Sequence, residues 1–170
     1  EAHGAKYKRK KVGSIGDIAI FSFYANKIVT TGEGGMVVSN NKQYIDCVNK
    51  VKALNHSKKR FIHDGIGYTY LMSNMQAAVG LASLEEINQS IAKKRAMAAL
   101  YRRHLSGVAG LILPVEKSWA TNVYWMYAVR VNPKLTTVSR NNLMELLMTK
   151  HGVQTRTFFY SPRTAFKKLG

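Results

Sequence analysis

Residues 17–24, Asp-Ile-Ala-Ile-Phe-Ser-Phe-Tyr, constrain the fold more than any other part of the chain. Their β-branched and aromatic side chains predict a buried strand. The loop that follows closes on Thr30-Thr31-Gly32-Glu33-Gly34-Gly35, where three glycines in four residues permit positive φ and close backbone approach. Residues 36–39 predict a second short strand. Strand, glycine-rich turn and strand at this spacing imply two neighbouring strands of one sheet. Residues 5–16 are basic, contain Gly13 and Gly16, and are expected to form a loop.

Helical spacing takes over downstream. Tyr44, Ile45, Val48, Val51 and Leu54 mark a helix over 42–54, and Cys47 within it is expected to pack in the core. Residues 56–67 are polar and basic and read as a loop. Residues 74–106 predict one long or kinked helix, capped by Ser73 and ended by Gly107 and Gly110. A second unit follows: a strand over 123–131, a helix over 139–151 between Ser139 and Gly152, and a strand over 153–159.

Composition excludes several classes. The 170 residues fit one domain or two small ones, and 46% apolar residues suffice for a core. No apolar run reaches the roughly 18 residues of a membrane span. The first residues show no signal pattern, so the expected location is the cytoplasm. A single cysteine excludes an internal disulfide and a zinc ribbon. His3, His56, His63, His104 and His151 show no metal-ligand spacing. The net charge of +17 points to an anionic partner. Its clumps, among them 6–11, 58–60 and 93–95, are scattered and not interleaved with aromatics as single-strand binding needs, so nucleic acid is not the expected partner.

The chemistry concentrates on Lys27. It stands directly after the aromatic run Phe21-Ser22-Phe23-Tyr24, in low-dielectric surroundings, and a neutral amine is what Schiff-base chemistry needs. Taken alone, such a lysine is more often simply exposed.

The wording of the chain adds to this reading. Glu1-Ala2-His3-Gly4-Ala5, Lys11-Val12-Gly13-Ser14-Ile15-Gly16-Asp17, the run from Ser22 to Lys27 and the run from Thr30 to Met36 occur in that order. Residues 67–78, then Val123-Tyr124-Trp125-Met126-Tyr127 and Thr155-Arg156-Thr157-Phe158-Phe159-Tyr160, continue the pattern. Together they resemble the DegT/DnrJ/EryC1/StrS-type pyridoxal-phosphate-dependent sugar aminotransferases, in their perosamine-synthase-like branch.

The resemblance implies an α/β fold of the aspartate-aminotransferase type (fold type I), a three-layer αβα domain with a small C-terminal α/β domain. Residues 1–106 would be the C-terminal part of the large cofactor-binding domain and 107–170 an incomplete small domain. Lys27 would form the aldimine with pyridoxal 5'-phosphate and shuttle protons. Ser22 would contact the cofactor phosphate, and Glu1 would lie near its phenolic oxygen. Thr69 stands where the family has an asparagine that reaches the partner's cofactor phosphate, and Leu71 where it has an arginine. The implied partners are a nucleotide-linked keto sugar, glutamate as amino donor and a second copy in a homodimer, with no membrane. The family's enzymes begin well before Glu1 and continue past Gly170, so the isolated chain is expected to be inactive. The alternatives are an inactive fragment serving as a dimerisation or interaction module, and a basic module binding anions or nucleic acid.

Overall fold

The structure, a computed structural model, describes residues 1–59 and 61–161. The chain divides into two compact units. The first holds Glu1–Ala99 with Glu116–Trp125, the second Leu100–Val115 with the residues from Met126 onward.

In the first unit, strands β1 (Lys6–Tyr7) and β2 (Lys10–Lys11) form an antiparallel hairpin. Lys8 and Arg9 link them at φ 45° and 69°, the positive angles that two-residue hairpin loops require. The expected loop over 5–16 therefore contains paired strands. Lysine and arginine seldom take such angles, so no turn signal marked the site. A later strand, Ala120–Thr121, pairs with the other edge of β1.

Strands β3 (Ala19–Ser22) and β4 (Gly35–Val38) pair antiparallel, Ser22 opposite Gly35 and Ala19 opposite Val38. The strand expected over 17–24 is thus shorter, and it is not buried, because Ile18 and Ile20 are exposed. An apolar strand is buried only where a layer covers it, and this ladder has an open face.

Helix α1 (Lys42–Lys52) starts at Asn41, whose side chain accepts the Gln43 N–H, and has Lys50 and Lys52 in its last turn, where cations suit the helix dipole. Cys47 lies exposed on it, correcting the expectation of core packing. Helix α2 (Asn74–Glu85) opens with a capping box between Ser73 and Gln76. At Glu86 the backbone leaves helical geometry (φ −93°, ψ 5°), and helix α3 (Ile87–Leu105) follows. The break resolves the long or kinked stretch into two helices. β6 is the strand Ala120–Thr121 already paired with β1.

In the second unit, β5 (Leu111–Ile112) pairs antiparallel with β7 (Arg130–Val131). Helix α4 (Arg140–His151) is capped by the Ser139 hydroxyl and stopped by Gly152 at φ 63°, as its sequence signals predict. The strand expected over 123–131 shrinks to β7. Tyr124 takes a positive φ of 48° and gives its N–H to the Asn122 side chain, which breaks the extended backbone. Residues 153–161 form no strand, because an apolar, aromatic sequence becomes a strand only beside a ladder partner.

Candidate functional site

The turn between β3 and β4 places Lys27. Its backbone is tied along its length. The Lys27 N–H bonds the Tyr24 carbonyl at 2.9 Å, the Thr31 N–H bonds that of Phe23 at 2.9 Å, and the Phe23 N–H bonds that of Gly34 at 2.9 Å. The Thr30 hydroxyl donates to Phe23 O at 3.0 Å and accepts the Gly32 N–H at 2.9 Å. Helix α2 holds the turn from one side. Ser83 Oγ accepts the Thr30 N–H at 3.2 Å, and Gln76 Nε2 donates to Glu33 O at 3.2 Å. The approach is close enough that a Cβ on Gly80 would lie 2.6 Å from Thr31 Cγ2. Gly34, at φ 151°, is needed for the same reason, since a Cβ there would stand 2.5 Å from Thr31 Oγ1.

The Lys27 side chain is 8% exposed. Its Nζ donates to Glu1 Oε1 at 2.6 Å and lies 4.2 Å from the centre of the Trp125 ring. An ammonium over an indole face is attracted by the ring quadrupole. The indole is fixed in turn, because Trp125 Nε1 donates to the Asn26 carbonyl at 2.8 Å and Lys94 Nζ to Trp125 O at 3.4 Å. The segment that carries Trp125 is tied to α3 by Arg95, which grips Glu116 with both guanidinium arms at 2.7 and 3.2 Å and also reaches the Asn122 carbonyl. Glu116 Oε1 accepts the Asn122 N–H at 2.6 Å as well. The hydrogen bond from Lys27 holds the Glu1 carboxyl below its usual value. Burial, and after it the positive charge of Lys27, holds the His3 imidazolium below the ordinary histidine range. The Glu116 contact raises Arg95.

Glu1 and Lys27, singled out in the sequence, therefore meet directly. Ser22 ends β3, and its hydroxyl accepts the Tyr24 N–H at 3.4 Å, at the entrance to the same turn. Thr69 stands elsewhere in the unit. It is exposed, pairs with Ala53 across an isolated bridge, and sits between Tyr68 and Tyr70, whose rings stack at 5.0 Å. Sequence reasoning did not single out Trp125, Ser83 or Arg95 for the site. Trp125 carried a signal, as the indole of an aromatic run that matched the family pattern; Ser83 and Arg95 lie on helical stretches and carried none. Among the described residues no group of three or more His, Cys, Asp or Glu would hold a metal ion, and no helix is long and apolar enough to cross a membrane.

Known proteins share this arrangement of chain. Residues 1–168 match the model of the DegT/DnrJ/EryC1/StrS aminotransferase family. The GDP-perosamine synthase of Escherichia coli O157:H7 is 39% identical over 165 residues, covering 96% of this chain and 44% of that protein. The GDP-perosamine synthase of Vibrio cholerae is 38% identical over 165 residues, with the same coverage of 96% and 44%. Among solved structures, Helicobacter pylori PseC, an aminotransferase involved in the biosynthesis of pseudoaminic acid, superposes with a TM-score of 0.87 at 26% identity, covering 99% of this chain and 46% of that one. The chain thus spans less than half the length of these relatives. What it spans is a fragment of the fold of pyridoxal-phosphate-dependent sugar aminotransferases, mixed α/β in character. With the family pattern matched from the first residue almost to the last, the chain belongs to the DegT/DnrJ/EryC1/StrS aminotransferase family.

Proposed function

We propose that this chain supplies the cofactor-bearing lysine of a pyridoxal-phosphate-dependent aminotransferase, one that moves an amino group from glutamate to a keto sugar linked to a nucleotide. The observation that carries the reading is the Lys27 amine, nearly buried, held at 2.6 Å by Glu1 and backed at 4.2 Å by Trp125. Support for the substrate class comes from relatives described as GDP-perosamine synthases and as a UDP-4-amino-4,6-dideoxy-N-acetyl-beta-L-altrosamine transaminase.

The residues fit the cofactor. A primary amine sits against an aromatic wall, and its carboxylate partner Glu1 has a half-exposed side chain. When bound, pyridoxal 5'-phosphate supplies the electron sink for the carbon that gains or loses the amino group. Lys27 would hold the cofactor through its amine and, with that amine free, would hold and deliver a proton at Nζ. Glu1 orients that amine and would lie near the cofactor's phenolic oxygen. Trp125 closes one side of the amine against water. The Ser22 hydroxyl would contact the cofactor phosphate. Thr69, on its exposed segment, serves the phosphate of a second copy in a homodimer.

Addition of pyridoxal phosphate to the purified chain, borohydride reduction and peptide mapping test the reading. The expected result is a visible-range absorbance band before reduction and a label confined to Lys27 after it. A label spread over surface lysines, or placed on any single lysine other than Lys27, overturns the assignment.

A further inference from the structure

His3 is 4% exposed, and the reading above gives it no role. Its ring stacks on Phe21 at 5.6 Å with 22° between planes, and lies 5.8 Å from Phe23. Its Nδ1 faces the Val29 N–H at 3.3 Å. A nitrogen that accepts carries no proton, so the proton of the neutral ring is on Nε2. That buried Nε2 has no hydrogen-bond partner among the described residues.

A buried donor left unpaired is destabilising. A phenyl ring would fill the same slot, stack on Phe21 and strand no donor. What the imidazole has and a phenyl lacks is the Nδ1 lone pair, and that lone pair is spent on Val29. The position of Val29 gives the bond its meaning. On one side the Lys27 amide is tied to Tyr24, and on the other the Thr30 amide is tied to Ser83. Between them the bond from Val29 to His3 holds the backbone.

We infer that His3 positions Lys27. Its Nδ1 fixes the Val29 N–H, sets the backbone of residues 27–30, and so keeps the amine between Glu1 and Trp125. The consequence for cofactor loading rests on the function proposed above; the backbone tie does not. The charged groups beside the ring are the Lys27 ammonium and the Glu1 carboxylate paired to it. Burial, and after it the Lys27 cation, disfavours a second ring proton, so Nδ1 stays an acceptor. Once protonated, it would turn an N–H toward an N–H, and the tie would break.

Two variants of the chain separate the lone pair from the ring. His3→Phe keeps the stacking and removes the acceptor. His3→Asn keeps an acceptor, Oδ1, near the place of Nδ1 and gives up the ring. Hydrogen exchange at the Val29 amide is read without cofactor across acid and neutral pH, and borohydride-trapped pyridoxal phosphate at Lys27 is read beside it. In His3→Phe, Val29 exchange is expected to rise roughly tenfold and the label at Lys27 to fall by a similar factor, the size of one lost hydrogen bond. His3→Asn is expected to stay within about twofold of the parent chain. In the parent chain, after correction for intrinsic exchange, Val29 protection is expected to fall as pH drops through the His3 titration, and in His3→Asn to stay flat. Parent-like exchange and labelling in His3→Phe overturn the inference. Equal damage in both variants does so too, since ring packing would then be the cause. A parent chain that takes no label at Lys27 refutes the cofactor reading instead, while Val29 exchange still decides the role of His3.

Discussion

The β3–β4 hairpin has its buried residues, Val29 and Thr31, in its turn and none in its strands. Ile20 in β3 is 80% exposed, whereas Val29 in the connecting turn is 3% exposed. Turns ordinarily stay at the surface because a buried one must find partners for its backbone polar groups. Here the amides of Phe23, Lys27, Val29, Thr30, Thr31 and Gly32 all have acceptors, some on the turn itself, others on His3 and Ser83. The strands pair with each other and leave Ile20 on an open face. The difference teaches that this element is organised around its turn: the side chains that restrain the backbone, and those that restrain the amine, converge on residues 26–34.

The largest expected effect tests whether the turn carries the chemistry. Lys27→Ala removes the primary amine and is expected to lower cofactor-dependent amino transfer by ~10²-fold or more in an enzyme containing this chain. Transfer that survives at parent rates would leave the turn without a chemical purpose. Gly4→Val probes the packing next to His3, against Ile91 and Val123. Gly4 has φ 83°, and a Cβ would stand 2.4 Å from Ile91 Cδ1, so a loss of about 2–3 kcal/mol is expected in urea unfolding. Thr31→Val keeps the shape and deletes the 2.7 Å bond to Glu33 O, and a loss of about 1–2 kcal/mol is expected in the same experiment. Ile20→Lys tests the other half of the comparison. On an open face it is expected to change stability by no more than about 0.5 kcal/mol, and a loss above ~1.5 kcal/mol would show the face to be covered.

The smallest effect is electrostatic. Lys27 depresses the Glu1 carboxyl in the folded chain, so the stability this pair contributes is present above the ordinary carboxylate value. It is lost as pH falls through the depressed folded value. Glu1 is half exposed, and Glu1→Gln is expected to flatten only the acid end of the stability–pH curve, as read by urea titration.

Local signals located much of the fold. Ser73 and Ser139 cap helices where such residues predict helix starts, and Gly152 ends α4 in the left-handed conformation only glycine adopts freely. These features were legible because a cap and a stop are settled within four or five residues. The strands were less so. Residues 123–129 have the composition of a strand, but Tyr124 bends at positive φ and Asn122 takes its amide. The β1–β2 hairpin went unseen because Lys8 and Arg9 turn it without glycine. Cys47 had the spacing of a core residue on a helix that buries none.

The candidate site divides along the same line. By itself the sequence determined the family and marked Lys27 and the glycine-rich turn as candidates, because each is a matter of residue type and order along the chain. Tertiary structure alone decided what surrounds that lysine. Glu1 lies 26 residues from Lys27 along the chain and Trp125 holds Asn26 across 99, and neither separation leaves a periodic mark. The role of His3 was equally hidden, since a histidine beside a glycine reads the same whether its Nδ1 faces water or an amide. Contacts of this kind follow from how α2, α3 and the 116–125 segment pack around the turn, and packing is set by shape and burial across the whole unit rather than by any local run of residues.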